Sequence, residues 1–416
     1  MKKLSNKNLA LVGVTLFSMF FGAGNLIFPP HVGYSAGVKA LPAYLGMLLT
    51  AVCFPGLGVV AVAKVGGTDR VFAKVHKYFA AAFTIAVFLC IGPMLAIPRT
   101  ASTSYSMFAF LTDKLSLSPF GTVALRAAFS AAFFFGAYLL ARKPEHFKDV
   151  LGKCMSPVLL TLIAVIFVFG IFGLKDAPAA ATGAYAEGSA FLTGFVDGYQ
   201  TMDTLAAIVF GYVIAANVHA CGIESDGDVA RETMRAGVIA GLFLAVIYGA
   251  LAFLGARASA FLSGAADGTA VLSGLCLRLF GPVGALILAL VFFVACFNVC
   301  TGLLSSCATF FHREFPKFSF LCWLRIFALV SFAVSILGLG MILKISVPVL
   351  TLLYPVAIIM IVLNLLPFSW AQKAIVHRIA AALGLPFVFA HHFHPQFTEP
   401  ALELYRSLFQ PSELLD

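Results

Sequence analysis

The stretch Met19–His31, "MFFGAGNLIFPPH", lies inside an apolar run that begins near residue 9 and ends near residue 36. A run of that length and character reads as a membrane-crossing helix, yet Gly22, Gly24 and Asn25 interrupt its middle. Glycine costs a helix about 1 kcal/mol relative to alanine. It is nevertheless frequent in membrane helices, where it lets backbones approach one another. Packing alone would therefore explain the two glycines. The buried amide of Asn25 would remain unexplained.

The composition fixes the solvent. Of the 416 residues 61% are hydrophobic and only 11% charged, with a mean hydropathy of +1.00. So little polar surface cannot cover a water-soluble globule. Runs long enough to cross about 30 Å of hydrocarbon as helices fall near 9–36, 41–63, 78–98, 119–141, 154–174, 198–220, 236–255, 281–311, 320–343, 345–368 and, more weakly, 374–391. They are too long and too evenly apolar for barrel strands. The sequence predicts an all-α polytopic membrane protein forming one transmembrane domain over residues 1–416.

The first run is retained, because it is too long for a cleaved leader and ends in "FPPH" without a small-residue cleavage site. With the N-terminus inside, most of the 27 basic residues fall in inner connections, among them Lys64, Arg70, Lys74, Arg142, Lys143, Arg231, Arg235, Arg313 and Lys317. This bias places the N-terminus in the cytoplasm. The lipid bilayer then accounts for the net charge of +9, and no nucleic-acid partner is called for. Cys53, Cys90, Cys296, Cys300 and Cys307 read as small buried hydrophobes. Neither the Cys296–Cys300 pair nor the "HHFH" of His391, His392 and His394 supplies a full ligand set, so no resident metal or other cofactor is expected. Catalytic motifs are missing as well: there is no nucleophile elbow, no H-E-x-x-H and no phosphate-binding G-x-x-x-x-G-K-[ST]. The chain reads as a non-enzyme. A channel would want a continuous polar stripe or repeated filter loops, and only isolated polar positions occur. Arg99, in "IGPMLAIPRTAS", and Asp203, in "GYQTMDTLAAIVFGY", are the notable ionisable groups within apolar surroundings. Each must sit near a helix end or be paired in a functional role.

Five runs after the first, a second interruption appears in "AAIVFGYVIAANV" around Gly211, preceded by the polar "DGYQTMD". Folds made of two inverted five-helix repeats have discontinuous helices at corresponding places, with binding sites where those helices unwind. Free amides at one half-helix N-terminus favour an anion, and free carbonyls at the other half's C-terminus favour a cation. The expected organisation is thus a 5+5 inverted-repeat core, with repeats over 5–174 and 190–368, discontinuous first and sixth helices, and a C-terminal extension over 369–416 holding one or two helices.

The strings "FSMFFGAGNLIFPPHVGYSAG", "IGPMLAIPRTASTSY", "GFVDGYQTMDTLAAIVFG", "AGVIAGLFLAVIYGALAFLG" and "ISVPVLTLLYPVAI" resemble the bacterial branched-chain amino acid:cation symporters. That family shares the inverted-repeat fold of the bacterial leucine transporter, and the resemblance runs from about residue 5 to 366. It implies sodium-coupled uptake of leucine, isoleucine and valine across the bacterial cytoplasmic (inner) membrane, with H+ as the alternative coupling ion. By the same resemblance Gly22, Ala23, Gly24 and Asn25 form the segment whose backbone holds the substrate carboxylate. Phe210, Gly211 and Tyr212, with Ile97, would wall the side-chain pocket. Carbonyls near Ser18 and Phe21, with side-chain oxygens from the eighth helix, would hold the ion. Family members carry paired hydroxyls after "AC", whereas this chain reads "ACFNVCTGLLSS", leaving Asn298, Thr301 and Ser305 as oxygen donors. They also have twelve helices, whereas after Pro367 this chain has a single weak apolar run.

Overall fold

A computed structural model describes residues 3–112, 118–142 and 156–381, and statements of absence below refer to these. The chain is helical throughout, with no strand among the described residues. The helices are α1 (Asn6–Phe20), α2 (Ala23–Ala36), α3 (Ala40–Leu48), α4 (Phe54–Val65), α5 (Lys77–Leu89), α6 (Ala96–Thr112), α7 (Pro119–Ala141), α8 (Ser156–Gly173), α9 (Ala184–Glu187), α10 (Ala190–Asp197), α11 (Asp203–Ala220), α12 (Asp226–Ala258), α13 (Gly268–Glu314), α14 (Phe320–Ser335) and α15 (Leu339–Leu365). Seven of the described helical runs are long and apolar enough to cross a membrane. Their outer faces carry large apolar side chains such as Phe120, Phe172 and Val246, which are 83%, 76% and 70% exposed. Such faces need hydrocarbon as their solvent.

Several spans are composite. The first is α1 plus α2, broken at Phe21–Gly22, where both residues are extended. The second is α3 plus α4, joined by a π-helical turn at Leu49–Cys53, and the third is α5 plus α6, joined by another at Cys90–Met94. Gly92 departs from helical geometry there and Pro93 removes a donor. The sixth is α10 plus α11, separated by a tight turn over Gly198–Thr201 and by Met202. Within α13, Gly281 takes φ +64 ahead of Pro282, so the apolar run that starts at 281 is a helix of its own. Between the ninth and tenth spans the sequence boundary moves: Gly338, at φ +84, ends the ninth and opens α15, well before residue 343. That turn is built from "ILGLG", which hydropathy cannot separate from helix. Residues 374–381 are helical, while the remainder of the eleventh run and the His391–His394 cluster lie outside the described residues.

The two broken helices are held alike. The halves of the first, α1 and α2, both pack on α12, the seventh span; the halves of the sixth, α10 and α11, pack on α3 and α4, the second span of the chain. Each crossing is closed on glycine. A Cβ on Gly33 would lie 1.9 Å from Ala252 O, and one on Gly255 2.0 Å from Pro30 O, at the α2–α12 crossing. At α3–α10 the distances are 1.9 Å from Gly46 to Phe191 O and 2.0 Å from Gly194 to Ala43 O. Gly58 meets Ala207, and Gly211 meets Val62, at α4–α11. Small residues bring these backbones together where lipid supplies no hydrophobic drive for association.

Gly255→Ala should therefore markedly lower the yield of monodisperse protein or its melting temperature in detergent. Gly56→Ala, whose new methyl meets no atom within 4 Å, should leave melting unchanged or raise it slightly. Equal behaviour of the two would show that the crossings tolerate separation.

Candidate functional site

The two breaks face each other across a small cavity of about 30 Å³. Its walls come from the first break (Met19, Phe20, Gly22, Ala23, Gly24, Asn25), the third span (Ile91, Ala96, Arg99, Thr100), the sixth (Thr201, Met202, Asp203, Ala206, Phe210) and α13 (Val299, Leu303). Apolar groups dominate one side. Phe20 and Phe210 meet edge to face with centroids 5.7 Å apart, and Ile91, Val299 and Leu303 complete a wall suited to an aliphatic group.

The opposite side is polar and buried. Asn25 sits in the first turn of α2, where its Oδ1 accepts the Gly22 N–H at 3.0 Å and so caps one of the amides freed by the break. Its Nδ2 donates to Asp203 Oδ2 at 2.7 Å and also contacts the Tyr248 hydroxyl. Tyr248, fully buried on α12, donates to the same Asp203 oxygen at 2.8 Å. One carboxylate thus ties together the first, sixth and seventh spans. Such charge-assisted bonds are what permit an acid in an apolar interior.

Arg99, only 3% exposed, crosses from the third span to the sixth, where Nη1 donates to Gln200 O at 2.7 Å. Its guanidinium lies over the Phe28 ring at 5.5 Å. A Cβ on Gly24 would stand 2.7 Å from Arg99 Nη2 and 3.0 Å from Thr201 O, so nothing larger than glycine fits between α2 and the unwound segment. Arg99 Nε is buried without a partner.

Gln200 O is free to accept because the sixth helix is unwound there. Met202 takes φ +66, the only non-glycine residue with positive φ among the described residues. An L residue held in that conformation stores about 1–2 kcal/mol of strain. Thr50, in the π-helical turn of the second span, braces both sides: its hydroxyl donates to Phe195 O at 2.9 Å, and its carbonyl accepts the Thr204 hydroxyl at 2.8 Å.

The structure brings Gly22, Ala23, Gly24, Asn25 and Phe210 to one cavity but places Gly211 and Tyr212 elsewhere. The sixth helix breaks at 198–202 and not around Gly211, which is helical and serves the crossing with Val62. Tyr212 is 51% exposed and lies under Arg313 at 5.8 Å. Ile97 is buried but off the cavity, because one residue of helix turns it away from the face that carries Ala96, Arg99 and Thr100. Of the ion-site candidates, Ser18 and Asn298 meet directly, Asn298 Nδ2 donating to Ser18 Oγ at 3.2 Å. Phe21 is buried at the end of α1, its ring stacked on Phe17. The Thr301 hydroxyl donates to Phe297 O at 2.7 Å within its own helix, and Ser305 lies one turn further along. Tyr248 went unread because "AVIYGALAFLG" looks like any apolar span, with only its phenol to mark it.

A family model described as branched-chain amino acid transport protein matches residues 5–403. The chain belongs to this family. It is 37% identical over 384 residues to a branched-chain amino acid permease, BraB, of Bacillus subtilis, covering 91% of this chain and 84% of that one. With the branched-chain amino acid permease BrnQ of Escherichia coli K12 the identity is 36% over 374 residues, covering 89% and 83%. Among solved structures, MhsT in complex with L-phenylalanine aligns at a TM-score of 0.55 with 16% identity, over 93% of this chain and 98% of that one. Mhp1, a nucleobase-cation-symport transporter, aligns at 0.57 with 14% identity, over 94% of each. These likenesses establish the fold: a 5+5 inverted-repeat core with its first and sixth helices discontinuous. Family and fold together make this a multi-span membrane protein of a branched-chain amino acid transporter family.

Removing one donor from Asp203 should be felt in stability. Tyr248→Phe leaves Asn25 alone on Oδ2 and should cost about 1–3 kcal/mol, read as a lower melting temperature in detergent. Thr351→Val, at an exposed hydroxyl bonded only within its own helix, should not. An unchanged melt for Tyr248→Phe would remove it from the network.

Proposed function

We propose that the protein imports leucine, isoleucine and valine across the bacterial cytoplasmic membrane by cation symport, with Na+ as the coupling ion and the N-terminus in the cytoplasm. The observation that carries this reading is the cavity between the two helix breaks, polar on one side and walled on the other by Phe20, Ile91, Phe210, Val299 and Leu303. An amino acid cannot leave water unless its charged ends find replacement partners, and the unwound segments supply them beside a wall of aliphatic and aromatic side chains. The names of the permeases it resembles support the substrate class.

Sodium is favoured by the contact of Ser18 with Asn298, which joins α1 to α13 beside the first break. Oxygens from these two residues, the Phe21 carbonyl and the hydroxyls of Thr301 and Ser305 have the hard character such an ion needs. A second reading, H+ coupling, is favoured by Asp203, a buried carboxylate on the cavity wall that can carry a proton. The energetics suffice in either case. One monovalent cation entering down a tenfold gradient supplies about 1.4 kcal/mol, and a potential of 100 mV about 2.3 kcal/mol more. Together these sustain accumulation of several hundredfold.

Uptake of radiolabelled leucine into proteoliposomes tests this directly. Accumulation should follow an imposed sodium gradient and vanish when sodium and potential gradients are both collapsed. Accumulation driven by a pH gradient alone would favour the proton, and a requirement for ATP would overturn symport altogether.

Two substitutions probe the sites separately. Gly24→Val should abolish leucine binding while the protein stays inserted and monodisperse, because the added methyls enter the space between Arg99 and Thr201. Asn298→Ala should weaken sodium dependence more than it weakens leucine affinity at saturating sodium, since a higher ion concentration refills the site from which leucine binds. A parallel loss at every sodium concentration would assign Asn298 to helix packing and leave Thr301 and Ser305 to hold the ion.

A further inference from the structure

Arg99 occupies an electrostatically demanding place. Its guanidinium lies against Gly24 at the N-terminal end of α2, and Arg99 itself is in the first turn of α6. The positive ends of two helix dipoles therefore converge on a buried cation. Gly22 N–H is already capped by Asn25, but the guanidinium has only a carbonyl, Gln200 O, as an acceptor in hydrogen-bond contact. Its Nε is buried with no acceptor at all, and Arg99 lines the cavity. Such a cluster of donors is incomplete without an anion. Across the same cavity Asp203 accepts from Asn25 and Tyr248 on Oδ2, with the Thr201 side chain also in hydrogen-bond contact, and is itself a wall residue.

We infer that Arg99 and Asp203 form a clamp for the two charged ends of the substrate, Arg99 together with the α2 N-terminus taking the α-carboxylate and Asp203 taking the α-ammonium. The inference rests on the reading of this cavity as the amino acid site. It goes beyond that reading by giving recognition to two charged side chains as well as to the unwound backbone. The clamp explains why a cation and an anion are both buried on the wall of one small cavity: each is neutralised within the protein only in part, and a zwitterion completes both. It also fixes the orientation of the ligand. With its carboxylate at Gly24 and Arg99 and its ammonium at Asp203, the aliphatic chain is left to face Phe20, Phe210 and Val299.

The test pairs substitutions with ligand analogues in the full-length protein, by displacement of radiolabelled leucine. L-Leucinamide lacks the carboxylate charge, and (S)-2-hydroxy-4-methylpentanoate replaces the ammonium with a hydroxyl. In the unmodified protein each analogue should bind at least a hundredfold more weakly than leucine, and a lower limit on that ratio serves as well as a value. In Arg99→Gln leucine should fall to near the leucinamide level, shrinking that ratio below about tenfold while the hydroxy analogue stays disfavoured. Asp203→Asn should produce the reciprocal pattern. If Arg99→Gln is not obtained monodisperse, Arg99→Lys decides the matter, because it keeps the charge and loses the fork: leucine should weaken about tenfold and leucinamide not at all. Equal losses for leucine and its analogue in these variants would make Arg99 and Asp203 structural and overturn the clamp. Failure of the unmodified protein to bind leucine would instead overturn the reading of the cavity on which the clamp rests.

Discussion

A backbone that unwinds inside hydrocarbon must find partners for every amide and carbonyl it releases, and the whole molecule is organised around meeting that demand at two places. At the first break the amide of Gly22 is met by Asn25 Oδ1. At the second, the carbonyl of Gln200 is met by Arg99 and that of Phe195 by Thr50. Those partners are themselves polar and buried, so they require partners in turn. Asn25 reaches Asp203, Asp203 reaches Tyr248, and the requirement spreads until it has tied the first, third, sixth and seventh spans into one network. A single unmet member would cost more than the bond it lost.

The network cannot form unless the spans that carry it come very close. The glycine crossings provide that closeness: backbone on backbone at Gly33, Gly46, Gly194 and Gly255, and backbone on a single methyl or branched side chain at Gly58 and Gly211. They hold α2 to α12 beside the first break, and α10 and α11 to α3 and α4 on either side of the second. Rigid outer elements and strained inner segments are thus two parts of one arrangement. Met202 can be kept at positive φ because α10 and α11 on either side of it are locked to α3 and α4.

Most of this fold was legible in the sequence, because spans are set by length and hydropathy, and the bilayer leaves helices few alternatives. The first break was legible too, since "GAGN" puts two small residues and an amide where lipid-facing side chains belong. The sixth was misplaced by its glycine. Gly211 looked like a hinge but is a packing residue, whereas the true unwinding uses Met202, which no propensity would nominate for a left-handed conformation. Arg99 and Asp203 stood out as charges in apolar runs, but one dimension could not show that they face a common cavity. Tyr248 gave no signal of its own, because its role comes from a carboxylate 45 residues away.

One feature of α13 links the two proposed sites. Asn298 touches Ser18 on α1, and the next residue, Val299, stands against Gly22 and on the cavity wall. Adjacent residues of one rigid helix therefore contact the end of α1 on one side and the start of the break on the other. An ion drawing Ser18, Phe21 and Asn298 together would set the position of Val299 relative to Gly22, and with it the width of the cavity. A ligand that needs that width would favour the ion in return, since coupling between two sites is reciprocal in free energy. On this view Val299 is compatible with the proposed coupling: Asn298 would give its oxygen to the ion while the neighbouring Val299 senses the substrate's apolar side.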